Sequence, residues 1–365
     1  MKKNFIKVVL SIFLVFMLAI TAACSSSNTN SGSSESASSS GGEQEKTTEP
    51  IEFKLGTFAG PEHVQVKDVM VPFSEQVLEE TEGRINFKLY TGAALSSPPE
   101  TFDSIKTGIQ DAGWIVGGYT PGQFPLHGII NLPHLSKGTA EQVSEVAYKL
   151  YEKFPEIQAE YSDVKPLWFL GTEEYVIMTN KKKVESLEDV KGLKLRAPNS
   201  EGGLIIESWG ATPVSMPSND MYDALQKGVI DGTVSSMSQL KDYNLYDVIK
   251  YITHGNFTNS IMSAPMNKSA WEKIPEGDKQ ILEEKFIGLP MSKMAGKAFD
   301  EQGNKAIEEG KAAGIEFIHM SKEELDKFEK ASSVVTEKAI ADLEAKGFPA
   351  QEIYDAAKEM FSEFE

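Results

Sequence analysis

One cysteine in 365 residues, Cys24, rules out an intramolecular disulfide and any cysteine-rich metal site. The five histidines (His63, His127, His134, His254 and His319) are scattered, with no HxxxH and no paired Cys/His spacing, so no metal motif is written in the chain. Basic residues are few: 36 Lys and Arg stand against 54 Asp and Glu, a formal charge of −18. A nucleic-acid partner wants a basic stripe and anionic lipid repels an acidic surface, so neither is an electrostatic partner. GxSxG and P-loop motifs are absent, which leaves a cryptic carboxylate pair as the enzymatic option and no expected cofactor. What remains is ordinary for a globular protein, 40% apolar and 25% charged, long enough for one large or two medium domains.

The long apolar run stands at the beginning. "MKKNFIKVVLSIFLVFMLAITAAC" has a basic start, an apolar stretch and a small-residue end, which reads as a signal peptide over residues 1–23. The lone cysteine sits at the cleavage junction and a Ser-rich tail follows. This resembles a bacterial lipobox, with Thr21 where the motif usually has Leu, and implies a lipid on Cys24. An uncleaved span is the alternative, opposed by Lys7 inside the run. Cleavage removes Lys2, Lys3 and Lys7 and no acid, taking the charge from −18 to −21. Residues 24–50 cannot bury apolar surface and read as a disordered tether.

One unit occurs twice. "FDSIKTGIQDAGW" begins at Phe102 and "YDALQKGVIDGTV" at Tyr222, 120 positions later. The order around each copy matches: strand, helix, strand, helix, strand. In the first half these are "IEFKLGTF", a helix over 62–80, "RINFKLYTG", a helix opened by Ser97 and Glu100 as a capping box, and "DAGWIVGG". In the second half they are "GLKLRAP", a helix over 201–209, "TPVSMP", a helix capped by Ser218, and "VIDGTVSS". Gly108 and Gly228 stand where a left-handed helix end is wanted. The expected fold class is therefore α/β, with two lobes each built on a βαβαβ sheet unit. Ligands of open parallel sheets sit at the carboxyl ends of strands, so the site is expected between the lobes.

Residues 277–313 have helical character, interrupted at Gly288-Leu289-Pro290; unbroken, they would run ~50 Å and brace both lobes. "IEFIHM" reads as a strand, Ser321 and Glu324 as a second capping box, and 352–364 as a final helix.

Four stretches carry a family resemblance: "EETEGRINFKLYTGAAL", "PETFDSIKTGIQDAG", "SLEDVKGLKLRAPNS" and "WGATPVSMPSNDMYDALQKGVIDG". Together they resemble the extracytoplasmic solute-binding proteins of tripartite ATP-independent periplasmic (TRAP) transporters, the C4-dicarboxylate-binding family. The resemblance covers residues 51–340 and implies a periplasmic-binding-protein-like fold, lobe I over about 51–172 plus C-terminal elements, lobe II over about 173–260, and 341–365 as a C-terminal helix. It implies small and large membrane subunits as partners, a monomer anchored outside the cytoplasm, and Arg196 as the residue that binds a substrate carboxylate. The chemistry agrees: a guanidinium fits a carboxylate bidentately and stays charged when desolvated. The alternative is a surface arginine paired to Glu201 or another acid.

Further ligand-binding candidates are Phe58 and His63 in "FAGPEH", and Trp114 and Tyr119 after the third strand, with Trp114 as a core residue the alternative. Ser215 and Met216 in "SMP", and Ser236 in "VSSM", lie at strand ends of the second lobe. Tyr222 matches Phe102 and suits packing. The segment before "KGLK", where acid-binding family members often carry a second arginine, here holds Glu173 and Glu174. A dicarboxylate would bury one carboxylate unpaired, so a monocarboxylate with an apolar, aromatic or hydroxylated tail is expected. A zwitterion whose amine meets Glu173 or Glu174 stays open. The nearer functional rival is the lipid-anchored binding protein of an ATP-driven importer.

Overall fold

The computed structural model describes residues 50–136 and 138–364. The segments expected to be a signal peptide and a tether, and the expected lipidation position Cys24, lie outside the described residues. Among the described residues twelve strands follow in chain order: β1 (Ile51–Gly56), β2 (Ile85–Tyr90), β3 (Ala112–Gly113), β4 (Ile115–Val116), β5 (Val164–Gly171), β6 (Tyr175–Thr179), β7 (Lys194–Ala197), β8 (Thr212–Ser215), β9 (Gly232–Ser236), β10 (Tyr251–His254), β11 (Ile261–Asn267) and β12 (Glu316–His319). They form two sheets, β2-β1-β3-β11-β4 with β5 on β11, and β12-β10-β6-β9-β7-β8.

The two sheets share a plan. The first strand of each unit is central, parallel to the second on one side and to the third on the other: β1 between β2 and β3, β7 between β8 and β9. An antiparallel strand from elsewhere in the chain then pairs with each third strand, β11 with β3 and β6 with β9. The repeated sequence does the same job in both. Gly108 and Gly228 take φ of 78° and 70° and end their helices. Ile109 N–H then reaches back to Ser104 O and Val229 N–H to Ala224 O, each at 2.9 Å, the longer bond of a Schellman closure. Asp111 and Asp231 follow. Their carboxylates accept from Lys54 N–H at 2.8 Å and Lys194 N–H at 2.9 Å, and their own N–H groups donate to those residues' carbonyls. The aspartate thus clamps the third strand beside the first, and each lobe needs that clamp once.

Two helices join the lobes. The expected brace is split into Glu276–Lys285 and Leu289–Ala312, because Pro290 starts a new helix. The 24-residue second piece is ~36 Å long. Its Met291, Ala295 and Phe299 join the core under β1 and β5, and Ala306 joins a core of the other sheet. The Lys322–Glu344 helix does likewise: Phe328 and Val335 pack with Trp209 of the second lobe, while Ile340 and Leu343 pack with the Ala350–Ser362 helix on the first.

Local expectations need four corrections. The first helix begins as a π-helical turn, Gln65–Met70, before the α-helix Val71–Glu80; Val71 N–H bonds Val66 O, and Pro72 just after it has no donor. The third strand of the first unit is interrupted at Trp114, leaving β3 and β4. Ser97 bonds the Glu100 carboxylate at 2.5 Å and caps no backbone donor, because the turn that follows is 3₁₀. Ser321 does cap Glu324 N–H at 3.3 Å, but the Glu324 carboxylate turns away to Leu187 N–H and Lys327.

Candidate ligand-binding site between the lobes

Arg196 lies on β7, whose alternation sends Leu195 into the sheet's core and Arg196 to the other face. It is 1% exposed. Its Nε donates to Met216 O at 3.0 Å, and Nη2 donates to Tyr119 Oη at 3.2 Å and Ser218 Oγ at 3.1 Å. Nη1 has no hydrogen-bond partner among the described residues. No carboxylate is paired with this guanidinium among the described residues: Glu201, the alternative partner, is itself largely buried, and burial raises its carboxyl. A buried cation without a counter-ion is costly unless something else supplies the charge.

Tyr119 crosses from the first lobe, in the 3₁₀ turn Gly117–Tyr119 that follows β4. Its hydroxyl accepts from Arg196 Nη2 and from Ser218 N–H at 3.0 Å. Both lone pairs are then used, so its proton goes to Ser218 Oγ at 3.1 Å. Ser218, read from the sequence as a helix cap, instead opens the 3₁₀ turn Ser218–Asp220 and spends its side chain on this junction.

The rest of the wall is aromatic. Phe58 stacks on Trp114 at 5.0 Å and 16°, with Tyr119 at 5.9 Å. His63 stands 5.1 Å from Trp114 and meets Tyr243 and Phe299 edge-on at 5.6 and 6.3 Å. Gln65 N–H donates to His63 Nδ1, which places the ring proton on Nε2, 3.5 Å from Asp242 Oδ2. Burial lowers the His63 pKa, against the pull of Asp242. Asp242 belongs to the second lobe; its Oδ1 accepts from Val64 N–H at 3.0 Å and from Gln302 on the brace at 2.9 Å. Tyr175 is held as a neutral phenol, its pKa pushed to about 12 by burial. The cavity these groups enclose has a volume of about 20 Å³, about the space of one water.

Five sequence candidates therefore meet at one cavity: Arg196, Phe58, His63, Trp114 and Tyr119. Met216 contributes its carbonyl behind Arg196 rather than its side chain. Three others lie elsewhere. Ser215 is exposed at the end of β8. Ser236 is buried and bonds Ser238 at 3.1 Å. Glu174 lines a separate cavity of about 390 Å³ and faces His254 Nδ1 at 3.2 Å. Glu173 lines that same cavity, accepts from Ser238 N–H, and is pushed up to about 8 by burial. Neither acid faces Arg196, which removes the amine partner a zwitterion would want. Tyr222 is half-buried among apolar neighbours of its own lobe. Sequence reasoning missed Ser218, Tyr175, Gln239, Tyr243 and Phe299. Phe299 was legible only as part of a four-residue apolar spacing with Met291 and Ala295.

A profile of the DctP family, described as bacterial extracellular solute-binding protein, family 7, matches residues 55–342. The chain belongs to this family. Its fold recurs in a TRAP solute-binding protein from a marine metagenome, specific for aromatic acid ligands and co-crystallised with 3-hydroxybenzoate: 27% identity, TM-score 0.83, covering 87% of this chain and 100% of that one. A TRAP periplasmic solute-binding protein from Desulfovibrio salexigens DSM2638, in an open complex, is 29% identical with TM-score 0.75, over 86% of this chain and 97% of that one. An uncharacterised protein of Haemophilus influenzae is 27% identical over 281 residues, 74% of this chain and 84% of its own length. Family and two-lobed α/β fold are those that the four sequence motifs implied.

Proposed function

We propose that the protein is the capturing subunit of a TRAP-type transporter and binds an organic acid, an aromatic monocarboxylate, between its lobes. The observation that carries this is Arg196: a desolvated guanidinium with a free Nη1 and no counter-ion among the described residues, walled by Phe58, Trp114, Tyr119, Tyr243 and Phe299. A ligand carboxylate supplies the missing charge, and a planar ring fills an aromatic enclosure well. The homologue bound to 3-hydroxybenzoate supports the same class. Arg196 is the one side chain with a fixed positive charge in this lining among the described residues, so a second carboxylate would be buried unpaired.

A cavity that holds about one water admits no such acid, so the ligand enters an open form and the lobes close over it. Tyr119 and Asp242 are the groups that reach across on closure. The captured acid then passes to a small and a large membrane subunit, from a monomer held at the membrane by lipid on Cys24. The test is titration calorimetry with 3-hydroxybenzoate, benzoate, succinate and an amino acid. Tight binding of the aromatic acids and weak binding of the other two is expected. Preference for succinate, or no binding of any acid, overturns the reading.

A further inference from the structure

We propose that Gly118 and Asn199 are the steric seat on which the lobes close, a pair of positioning residues that decides whether the cavity can be sealed. The inference rests on the capture reading above. Gly118 lies in the turn between β4 and Tyr119 on the first lobe; Asn199 directly follows β7 and Pro198 on the second. A β-carbon on Gly118 would stand 2.3 Å from Asn199 Cβ, 3.3 Å from its Cγ and 3.4 Å from its Cα. Asn199 cannot swing aside. Its Cβ is one bond from the backbone, and its side chain caps the Ser200–Ser208 helix by accepting Gly202 N–H at 2.7 Å. The glycine is not there for its backbone, since its φ lies outside the left-handed region. Its neighbour Gly117 would meet nothing nearer than 3.6 Å, so the constraint falls on Gly118.

The contact is wired to the site through the next residue. Tyr119 holds Ser218 N–H at 3.0 Å and Arg196 Nη2 at 3.2 Å. To bring an alanine at 118 to ordinary contact at 3.4 Å, the seam must part by about 1.1 Å. The Tyr119 bonds would then stretch beyond hydrogen-bonding range and water would reach Arg196. One methyl group thus props the cleft open.

The experiment is a mutant cycle on the full chain in detergent: wild type, Gly118→Ala, Asn199→Gly and the double variant. Two readouts are taken, calorimetry with 3-hydroxybenzoate as probe and hydrogen exchange of the Ser218 amide. Glycine is itself one of the preferred N-cap residues, so the Asn199→Gly background folds. Gly118→Ala is expected to weaken probe binding about ten- to a hundredfold, the range for forcing a methyl into a packed contact, and to speed Ser218 exchange. In the Asn199→Gly background the same change should cost less than about threefold, because the opposing Cβ is gone. Equal losses in both backgrounds overturn the proposal, as does a Gly118→Ala protein that matches wild type in both readouts. A Ser218 amide that exchanges freely in wild type with and without probe overturns it too. If no acid binds wild type, the capture reading falls, while slow Ser218 exchange in wild type and fast exchange in Gly118→Ala still support the seat.

Discussion

Truncating Arg196 to alanine tests the site most directly. In the folded protein the change removes three donated hydrogen bonds, to Met216 O, Tyr119 Oη and Ser218 Oγ. It also removes a buried charge that has no counter-ion among the described residues, whose desolvation was itself unfavourable. These effects oppose each other, and Tyr119 and Ser218 keep their mutual bonds. The variant should fold and melt cooperatively. Binding is another matter. A carboxylate in this enclosure would be left desolvated and unpaired, at a cost of ~2–5 kcal/mol. At 1.4 kcal/mol per decade this is roughly 30- to several-thousand-fold in affinity. Arg196→Lys should recover part, because an ammonium keeps the charge but cannot hold Met216 O and Ser218 Oγ while forking a carboxylate. The assay is calorimetry with 3-hydroxybenzoate and its amide on wild type and both variants. The amide should bind wild type poorly and be nearly indifferent to the mutation, which separates a direct carboxylate contact from a general loss of cleft shape. A folded Arg196→Ala protein that binds the acid as wild type does removes Arg196 from the site.

His127 tests the pH dependence of the first lobe. Its Nε2–H donates to Ala147 O at 3.0 Å, its Nδ1 accepts from Tyr161 O–H at 2.7 Å, and burial lowers its pKa from 6.5 to about 4. The neutral ring therefore contributes stability that is present above pH 6.5 and is lost as pH falls through about 4, worth about 3 kcal/mol. His127→Gln should be less stable at neutral pH, with a gap to wild type in urea unfolding that narrows on acidification; a constant gap refutes the assignment. Glu160 has the opposite sign: burial raises it to about 7, so its contribution is present below 4.5 and lost as pH rises through 7, and Glu160→Gln should flatten that limb. Asp111→Ala and Asp231→Ala should each cost about 1 kcal/mol, since each loses the same clamp in its own lobe. Urea unfolding that finds one indispensable and the other neutral would break their equivalence. Cys24→Ala should release soluble protein or leave unprocessed precursor, because stable anchoring needs the attached chains; unchanged membrane retention with an unchanged processed mass would sink the anchor.

The lobes were legible because their signals are local and repeated. Glycine at 108 and 228, and aspartate three residues later, demand one backbone path wherever they occur, and both copies take it. The capping boxes were less secure, because a Ser-x-x-Glu spacing says which side chains are near a helix start and not what competes for them. Leu187 N–H and Lys327 took Glu324, and Ser97's hydroxyl took the Glu100 carboxylate; the simple cap read at Ser218 was likewise taken by the Arg196 junction. The Lys322–Glu344 helix gave no sign of joining two cores, since Phe328 and Ile340 lie on one ordinary apolar face and their different partners are decided elsewhere in the chain.

The site divides along the same line. Arg196 could be placed because strand period and guanidinium chemistry both act within one segment. Ser215 and Ser236 were assigned from being at strand ends, but a strand end has two faces, and theirs point to solvent and to the lobe interior. Glu174 fails for a related reason: it stands one residue before β6, on the segment between β5 and β6, and faces His254 instead of the Arg196 cavity. Tyr243 and Asp242 were out of reach because they act from the second lobe on the first, Tyr243 lining the cavity beside His63 and Asp242 holding Val64 N–H behind it. Such contacts run across the seam between the lobes, and no periodicity within either lobe encodes how the two meet. What does encode it is smaller: the absence of a β-carbon at Gly118 opposite a helix cap at Asn199, which reads in sequence as an unremarked glycine in a loop.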